Sequence, residues 1–103
     1  YRDGIAVAVV DHTVGRVTAA QAADELLNIS GIDTSFVLFP DQEGRVILSA
    51  RSMGDVNVQV VLEKLGGGGH RTIAGAQLKD ATMEEAREKL KAMLRQMIEK
   101  GEI

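Results

Sequence analysis

The run Leu65-Gly66-Gly67-Gly68-Gly69-His70-Arg71-Thr72 holds the residues best suited to chemistry. Each of four successive glycines costs roughly 0.5–1 kcal/mol of backbone entropy relative to Ala. Positive φ at several positions is one reason to accept such a run. Another is a bare backbone whose N–H groups reach an anion and form a nest. An imidazole and a guanidinium, those of His70 and Arg71, follow at once. The amides of Gly67, Gly68 and Gly69 beside His70 would make a phosphate-binding corner. A glycine run also serves as a plain flexible turn, but the basic pair after it shifts the reading toward an anion. No Gly-Lys-Ser/Thr follows, so this is not a Walker loop. The dinucleotide fingerprint needs a strand before and a helix after, and here the order is reversed.

The second stretch is Ser49-Ala50-Arg51-Ser52-Met53-Gly54-Asp55-Val56-Asn57. It ends one strand and leads into the helix that the glycines terminate. Ligands collect at strand ends of open α/β sheets. Arg51 offers a planar fork suited to phosphate oxygens or a base edge. A single Arg is by default a surface residue. The flanking Ser49 and Ser52, and the Gly-Asp turn, favour a ligand contact instead. Other positions carry less. Asp11-His12 is an isolated pair without the cluster a metal needs. Asp33 and Asp41 read as turn residues, and Asp24, Glu25, Glu84, Glu85, Glu88 and Lys89 as solvated helix faces. The Met83, Met93 and Met97 stripe reads as core or docking surface. Neither a Ser-His-Asp arrangement nor a dense acidic and His cluster is present, so spacing alone describes an anion-binding domain without catalytic machinery of its own.

These residues need elements to hold them. Ile5 to Val10, IAVAVV, reads as a strand buried on both faces. Thr18 with Gln21 predicts a capped helix, and Gly31 its left-handed stop. Thr34–Phe39 and Arg45–Ala50 flank the turn-forming Pro40-Asp41-Gln42-Glu43-Gly44 and predict a hairpin. Val58, Val61, Leu62 and Leu65 predict a helix over about 56–65 capped by Asp55. Ile73 to Leu78 reads as a small-residue strand that lets another backbone come close. Asp80 to Gly101 carries the strongest helix signal, with Thr82 and Glu85 as a capping box. The order β-α-β-β-α-β-α predicts an α/β domain, a mixed sheet with a central hairpin and covering helices.

The whole chain sets the bounds. Its 103 residues form one domain, 1–103. Apolar residues make up 45% and aromatics 3%, so the core is aliphatic. The absence of Cys excludes a disulfide scaffold or thiolate metal site. A net charge of −3 makes the surface no general magnet for phosphate polymers, so any nucleotide contact must be local. The chain opens on Tyr1 rather than Met and reads as a fragment of a longer protein. No apolar stretch reaches the ~18–20 residues of a membrane span.

Gly66-Gly67-Gly68-Gly69-His70 followed by Ala74-Gly75-Ala76 resembles the signature of the DHH-associated C-terminal domain. That domain completes the DHH-family phosphoesterases. Gln21 to Leu27, Gly31-Ile32, Phe36-Val37, Ser49 to Ser52 and Asn57 to Val60 resemble the membrane-anchored branch, the GdpP-type cyclic-di-AMP phosphodiesterases. Ala74-Gly75-Ala76 departs from that branch and looks like the oligoribonuclease members. The resemblance implies a two-lobed, Mn-dependent parent phosphodiesterase acting on cyclic-di-AMP or short linear nucleotides. An upstream DHH lobe would carry a Mn²⁺ pair that activates water. The present lobe would bind no cofactor and hold the nucleotide or cyclic dinucleotide phosphates. His70 and the amides of Gly67, Gly68 and Gly69 would take one phosphate, and Arg51 another phosphate or the base, helped by Ser49, Ser52 and Asn57. The expected partners are that lobe, the nucleotide and a second copy of the chain. The expected location is the cytoplasm, with the parent anchored in the cell membrane.

Two readings compete. Alanyl-tRNA synthetases carry a related glycine-rich domain that contacts tRNA, which suggests a nucleic-acid-binding module. The negative charge and scarce aromatics weigh against it. Many β-α-β-β-α-β units are small-molecule sensors, and fold does not fix function.

Overall fold

The computed structural model describes residues 4–10, 15–54, 56–78 and 81–102. The elements, in chain order, are β1 (Ile5–Val9), α1 (Arg16–Leu26), β2 (Thr34–Pro40), β3 (Val46–Ser52), α2 (Val58–Lys64), β4 (Gly68–Gly69), β5 (Ile73–Leu78) and α3 (Met83–Glu99). The order expected from sequence holds, with one further strand, β4. The strands form one mixed sheet ordered β1-β2-β3-β5-β4, parallel between β1 and β2 and antiparallel elsewhere.

The β2–β3 hairpin forms as its turn residues dictate. Asp41 Oδ1 accepts from the amides of Glu43 and Arg45, and Oδ2 from Arg45 Nε. Gly44 takes φ +80°. Desolvation pushes the Asp41 carboxyl upward, but the hydrogen bonds from Arg45 and Glu43, with the Arg45 charge, more than reverse it and hold it below 3.8.

Alternation along the strands splits the apolar residues between two faces. Phe36, Leu38, Leu48, Ala50, Ala74 and Ala76 pack with α2 and α3 in the larger core. Val37, Phe39 and Ile47 pack with Ala19 and Ala23 of α1 in the smaller one. Each fully buried Phe or Leu contributes about 1.5–3 kcal/mol. The stripe of α3 faces inward at Ala86, Leu90, Leu94 and Met97.

Four local readings need correction. β1 lies at a sheet edge, and only Ile5 of the strand is fully buried, because among the described residues no strand pairs with its outer side. Thr18 lies inside α1, whose N-cap is Gly15 without a side-chain bond. Gly31 is left-handed at φ +87° but sits four residues beyond the C-cap Leu27. Asn57 caps α2, its side chain accepting from the Gln59 amide. Asp55, Asp80 and the Asp11-His12 pair lie outside the described residues.

The capping box of α3 is complete. The Glu85 amide donates to Thr82 Oγ1, and Glu85 Oε1 accepts from the Thr82 amide. Those Thr82 hydrogen bonds lower the Glu85 carboxyl below 4.5. Thr82→Ala is expected to cost about 1 kcal/mol, which lowers Tm by roughly 4–8 °C for a domain this small. Thermal unfolding followed by circular dichroism checks it.

Candidate functional site

The sheet register gathers the sequence candidates into cross-strand rows. Residues directly opposite share a face. One row runs Ala6, Ser35, Arg51, Ile73. It continues to His70, whose amide donates to the Ile73 carbonyl at 2.6 Å. The next row runs Ala8, Val37, Ser49, Gly75, Gly68. Both rows lie on the α1 side of the sheet, with Val37 in the α1 core.

Helix α1 covers only part of that side. Its hold on β2 includes Ser35 Oγ donating to the Ala23 carbonyl at 2.7 Å. Beyond β3 the face is open: Ile73 is 50% exposed and Gly75 is exposed. A cavity of about 320 Å³ lies at the boundary, lined by Val17, Ala20, Phe39, Ile47, Ser49, Arg51 and Gly75 among others. That volume lies at the lower end for small-molecule sites.

Arg51 reaches into this cavity with its side chain largely buried. Its Nη1 donates to the Ala50 carbonyl at 2.9 Å and to Ser49 Oγ at 3.4 Å. Its Nε lies 3.3 Å from Asp24 Oδ1 of α1. A guanidinium has five N–H donors, so among the described residues the two on Nη2 are uncommitted. Asp24 lies on the exposed face of α1, as read from sequence, and from there pairs with the cation.

The glycine run is built as a strand edge. Gly66 takes φ +87° and closes α2. A Cβ at Gly67 would stand 2.5 Å from Ala76 Cβ and closer still to the Gly75 carbonyl. The Gly67 amide donates to the Leu62 carbonyl at 2.8 Å, so it is already engaged. Gly68 and Gly69 pair with Gly75 and Ala74. Antiparallel ladders alternate hydrogen-bonded and open pairs. With the His70 amide bonded to Ile73, that alternation pairs the Gly68 amide with β5 and turns the Gly69 amide to the open edge. The His70 imidazole is exposed and has no hydrogen-bond partner among the described residues.

Ser49 and Arg51 thus share one open half-face, with His70 beyond Ile73 in the Arg51 row, whereas Gly69 stands opposite Ala74 of the larger core and brings only its edge-turned amide close to them. Ser52 and Asn57 do not join them. Ser52 is buried and alternates to the other face, where its Oγ accepts from the Gly54 amide at 3.0 Å. Asn57 holds the start of α2. Arg71 Nε donates to the Gly54 carbonyl, and its own carbonyl accepts from the Val58 amide, so Arg71 joins the turn to α2. Gly75 is the residue that site reasoning from sequence passed over. Its signal was the small-residue strand, whose bare backbone floors the cavity.

Among the described residues no three His, Cys, Asp or Glu side chains cluster as a metal ion would require. No described helix is long and apolar enough to cross a membrane.

Comparison with known proteins follows the same lines. The DHHA1 domain pattern matches residues 2–100. The chain is 49% identical over 92 residues to the cyclic-di-AMP phosphodiesterase PdeA of Listeria monocytogenes, covering 87% of this chain and 14% of that protein. It is 49% identical over 100 residues to the cyclic-di-AMP phosphodiesterase GdpP of Geobacillus thermodenitrificans, covering 95% and 15%. Among solved structures, an exopolyphosphatase-related protein from Bacteroides fragilis superposes with TM-score 0.74 at 22% identity, over 86% of this chain and 28% of that one. The last likeness concerns fold alone. The chain spans about one-seventh of the length of these two phosphodiesterases.

Proposed function

The chain belongs to the DHHA1 domain family, and on that premise we propose that it is the substrate-holding lobe of a phosphodiesterase acting on cyclic-di-AMP or a short linear nucleotide. The observation that carries the reading is the placement of Arg51 and His70 in one cross-strand row on the open half-face, with the outward Gly69 amide beside them. Two relatives at 49% identity are cyclic-di-AMP phosphodiesterases, which supports the choice of substrate class.

The chemistry fits a phosphodiester. Nη2 of Arg51 gives two charge-assisted donors for non-bridging oxygens, stronger than neutral hydrogen bonds. Arg51 and His70 are two strands apart, a separation of about 10 Å at the usual strand spacing. Such spacing suits a ligand with two anionic groups better than one phosphate gripped from both sides. Ile73, between them and half exposed, gives a base an apolar surface. Hydrolysis itself belongs to the rest of the parent protein, where a Mn²⁺ pair on an upstream DHH lobe would activate water. This chain binds and orients.

The test is a ¹⁵N NMR titration of the chain with cyclic-di-AMP and with linear diadenylate. Shifts are expected at Ser49, Arg51, Gly69, His70, Ile73 and Gly75. Arg51→Ala is expected to weaken binding about 10- to 100-fold, the range for a hydrogen bond to a charged group. Shifts confined to α3 would overturn the reading. So would tight, steeply salt-dependent tRNA binding without a dinucleotide response, the mark of a nucleic-acid module.

A further inference from the structure

The stripe of α1 that borders the cavity ends in a charge. Val17 and Ala20 line the cavity, and Asp24 follows them on the same side of the helix, seven and four residues on. Its Oδ1 lies 3.3 Å from Arg51 Nε. The pair is unequal, with the Asp24 side chain 64% exposed and the Arg51 side chain 15%. Asp24 also stands in the last turn of α1, where the carbonyl end of the helix dipole disfavours an anion. Its carboxylate does not serve the helix.

The turn that carries Asp24 is fixed independently of the ion pair. Ser35 stands directly opposite Arg51 in the sheet. Its buried hydroxyl donates to the Ala23 carbonyl at 2.7 Å. Ala19 and Ala23 pack against Val37, Phe39 and Ile47. The residue before Asp24 is thus tied to the strand beside Arg51. On the guanidinium itself, Nη1 is held by the Ala50 carbonyl and Ser49 Oγ. The group is planar and rigid, so contacts at Nε and Nη1 together set where Nη2 points.

We infer that Asp24 is a positioning residue for the proposed nucleotide site, holding Arg51 in the rotamer that presents Nη2 to a phosphate before the ligand arrives. This role rests on the reading of Arg51 as a ligand contact. Asp24 acts through Arg51 and leaves the ligand to it. Ordering a long side chain costs affinity when it happens on binding, and prior pairing removes that cost. A carboxylate beside an anion site also repels the anion, so the two effects have opposite signs. Repulsion acts through water from an exposed group, where about 0.15 M salt screens charges over about 8 Å. Pairing acts at 3.3 Å on a largely buried guanidinium. Positioning therefore outweighs repulsion.

Titration of the chain with cyclic-di-AMP at about 0.15 M salt tests this with two variants. Asp24→Asn removes the charge at nearly constant size. It is expected to weaken binding about 3- to 10-fold, the cost of ordering one rotamer-rich side chain. Asp24→Glu keeps the charge on a longer arm at an exposed position and is expected to restore most of the affinity. In ¹⁵N spectra without ligand, the Arg51 Nε–H signal should move in Asp24→Asn and return in Asp24→Glu. Thermal melts of both should match the wild type, since an exposed pair adds little to stability. Binding by Asp24→Asn that equals or exceeds that of the wild type overturns the inference while leaving Arg51 as a ligand contact. An Nε–H signal unmoved in Asp24→Asn overturns it too, and a melting temperature that falls in step with affinity does so by making Asp24 a structural residue. A wild-type chain that binds no cyclic-di-AMP overturns the reading of the site itself, and the role of Asp24 with it.

Discussion

If the proposed function holds, replacing His70 by Ala in the longer phosphodiesterase is expected to lower kcat/KM on a dinucleotide by about 10²–10³-fold. That is the cost of removing one preorganised donor from a site where charge develops. The imidazole has the right placement for such a loss. Its side chain is exposed and free of hydrogen bonds among the described residues, and its backbone is fixed by the hydrogen bond from the His70 amide to the Ile73 carbonyl. The same facts predict that the fold survives. No packing partner is lost, so stability should change by less than about 0.5 kcal/mol. The loss should fall on kcat, because phosphoryl oxygens gain charge between the bound substrate and the transition state. A contact made equally in both would raise KM alone. Steady-state kinetics on the purified variant, with a thermal melt as control, reads both quantities. An unchanged rate removes His70 from the phosphate, and a collapsed melt makes it a structural residue.

The larger architecture was legible because it rests on periodicity. The α3 stripe and its capping box repeat at helical spacing, and the hairpin is announced by Pro40 to Gly44 between two β-rich runs. The edge position of β1 was not legible. An apolar run looks the same whether the sheet continues past it or stops, and only the strand order decides that. The Thr18 cap failed because α1 gains its hold from Ala19 and Ala23 against the sheet, not from its first turn. The site was half legible. Arg51, Ser49 and His70 were visible as residue types in polar stretches, but strand alternation decides which face each meets. Alternation sends Ser49 and Arg51 one way and Ser52 the other. Asn57 drew notice as a polar residue near the site, yet a polar side chain before a helix is equally a cap. The glycine run was read as a nest of amides. In the fold, Gly67 and Gly69 serve the close pairing of two backbones, and the amide that ladder alternation turns to the open edge is that of Gly69.

That pairing leads to the sharpest contrast between neighbours in the chain. Gly67→Ala is expected to destabilise the domain by about 3 kcal/mol or more, at the upper end of what overpacking costs. The new methyl would meet the Gly75 carbonyl and the Ala76 backbone, with Ala76 Cα 2.7 Å away. None of these is the far end of a flexible side chain, so relief requires β4 to lift off β5. At roughly 4–8 °C per kcal/mol, Tm should fall by about 12–24 °C. Gly68→Ala, one residue on, adds the same methyl to open space, since nothing lies within 4 Å of it. Its φ is not in the left-handed region, and the loss of freedom in the unfolded chain favours Ala by up to about 1 kcal/mol. Its Tm should therefore hold or rise slightly. Function separates the pair as well. Lifting β4 displaces the Gly69 amide and His70 together, so Gly67→Ala should lose nucleotide binding even below its lowered Tm, whereas Gly68→Ala retains its fold. Equal melting of the two variants would mean that β4 is not seated against β5 at this distance, and the placement of His70 beside Ile73 and Arg51 would go with it.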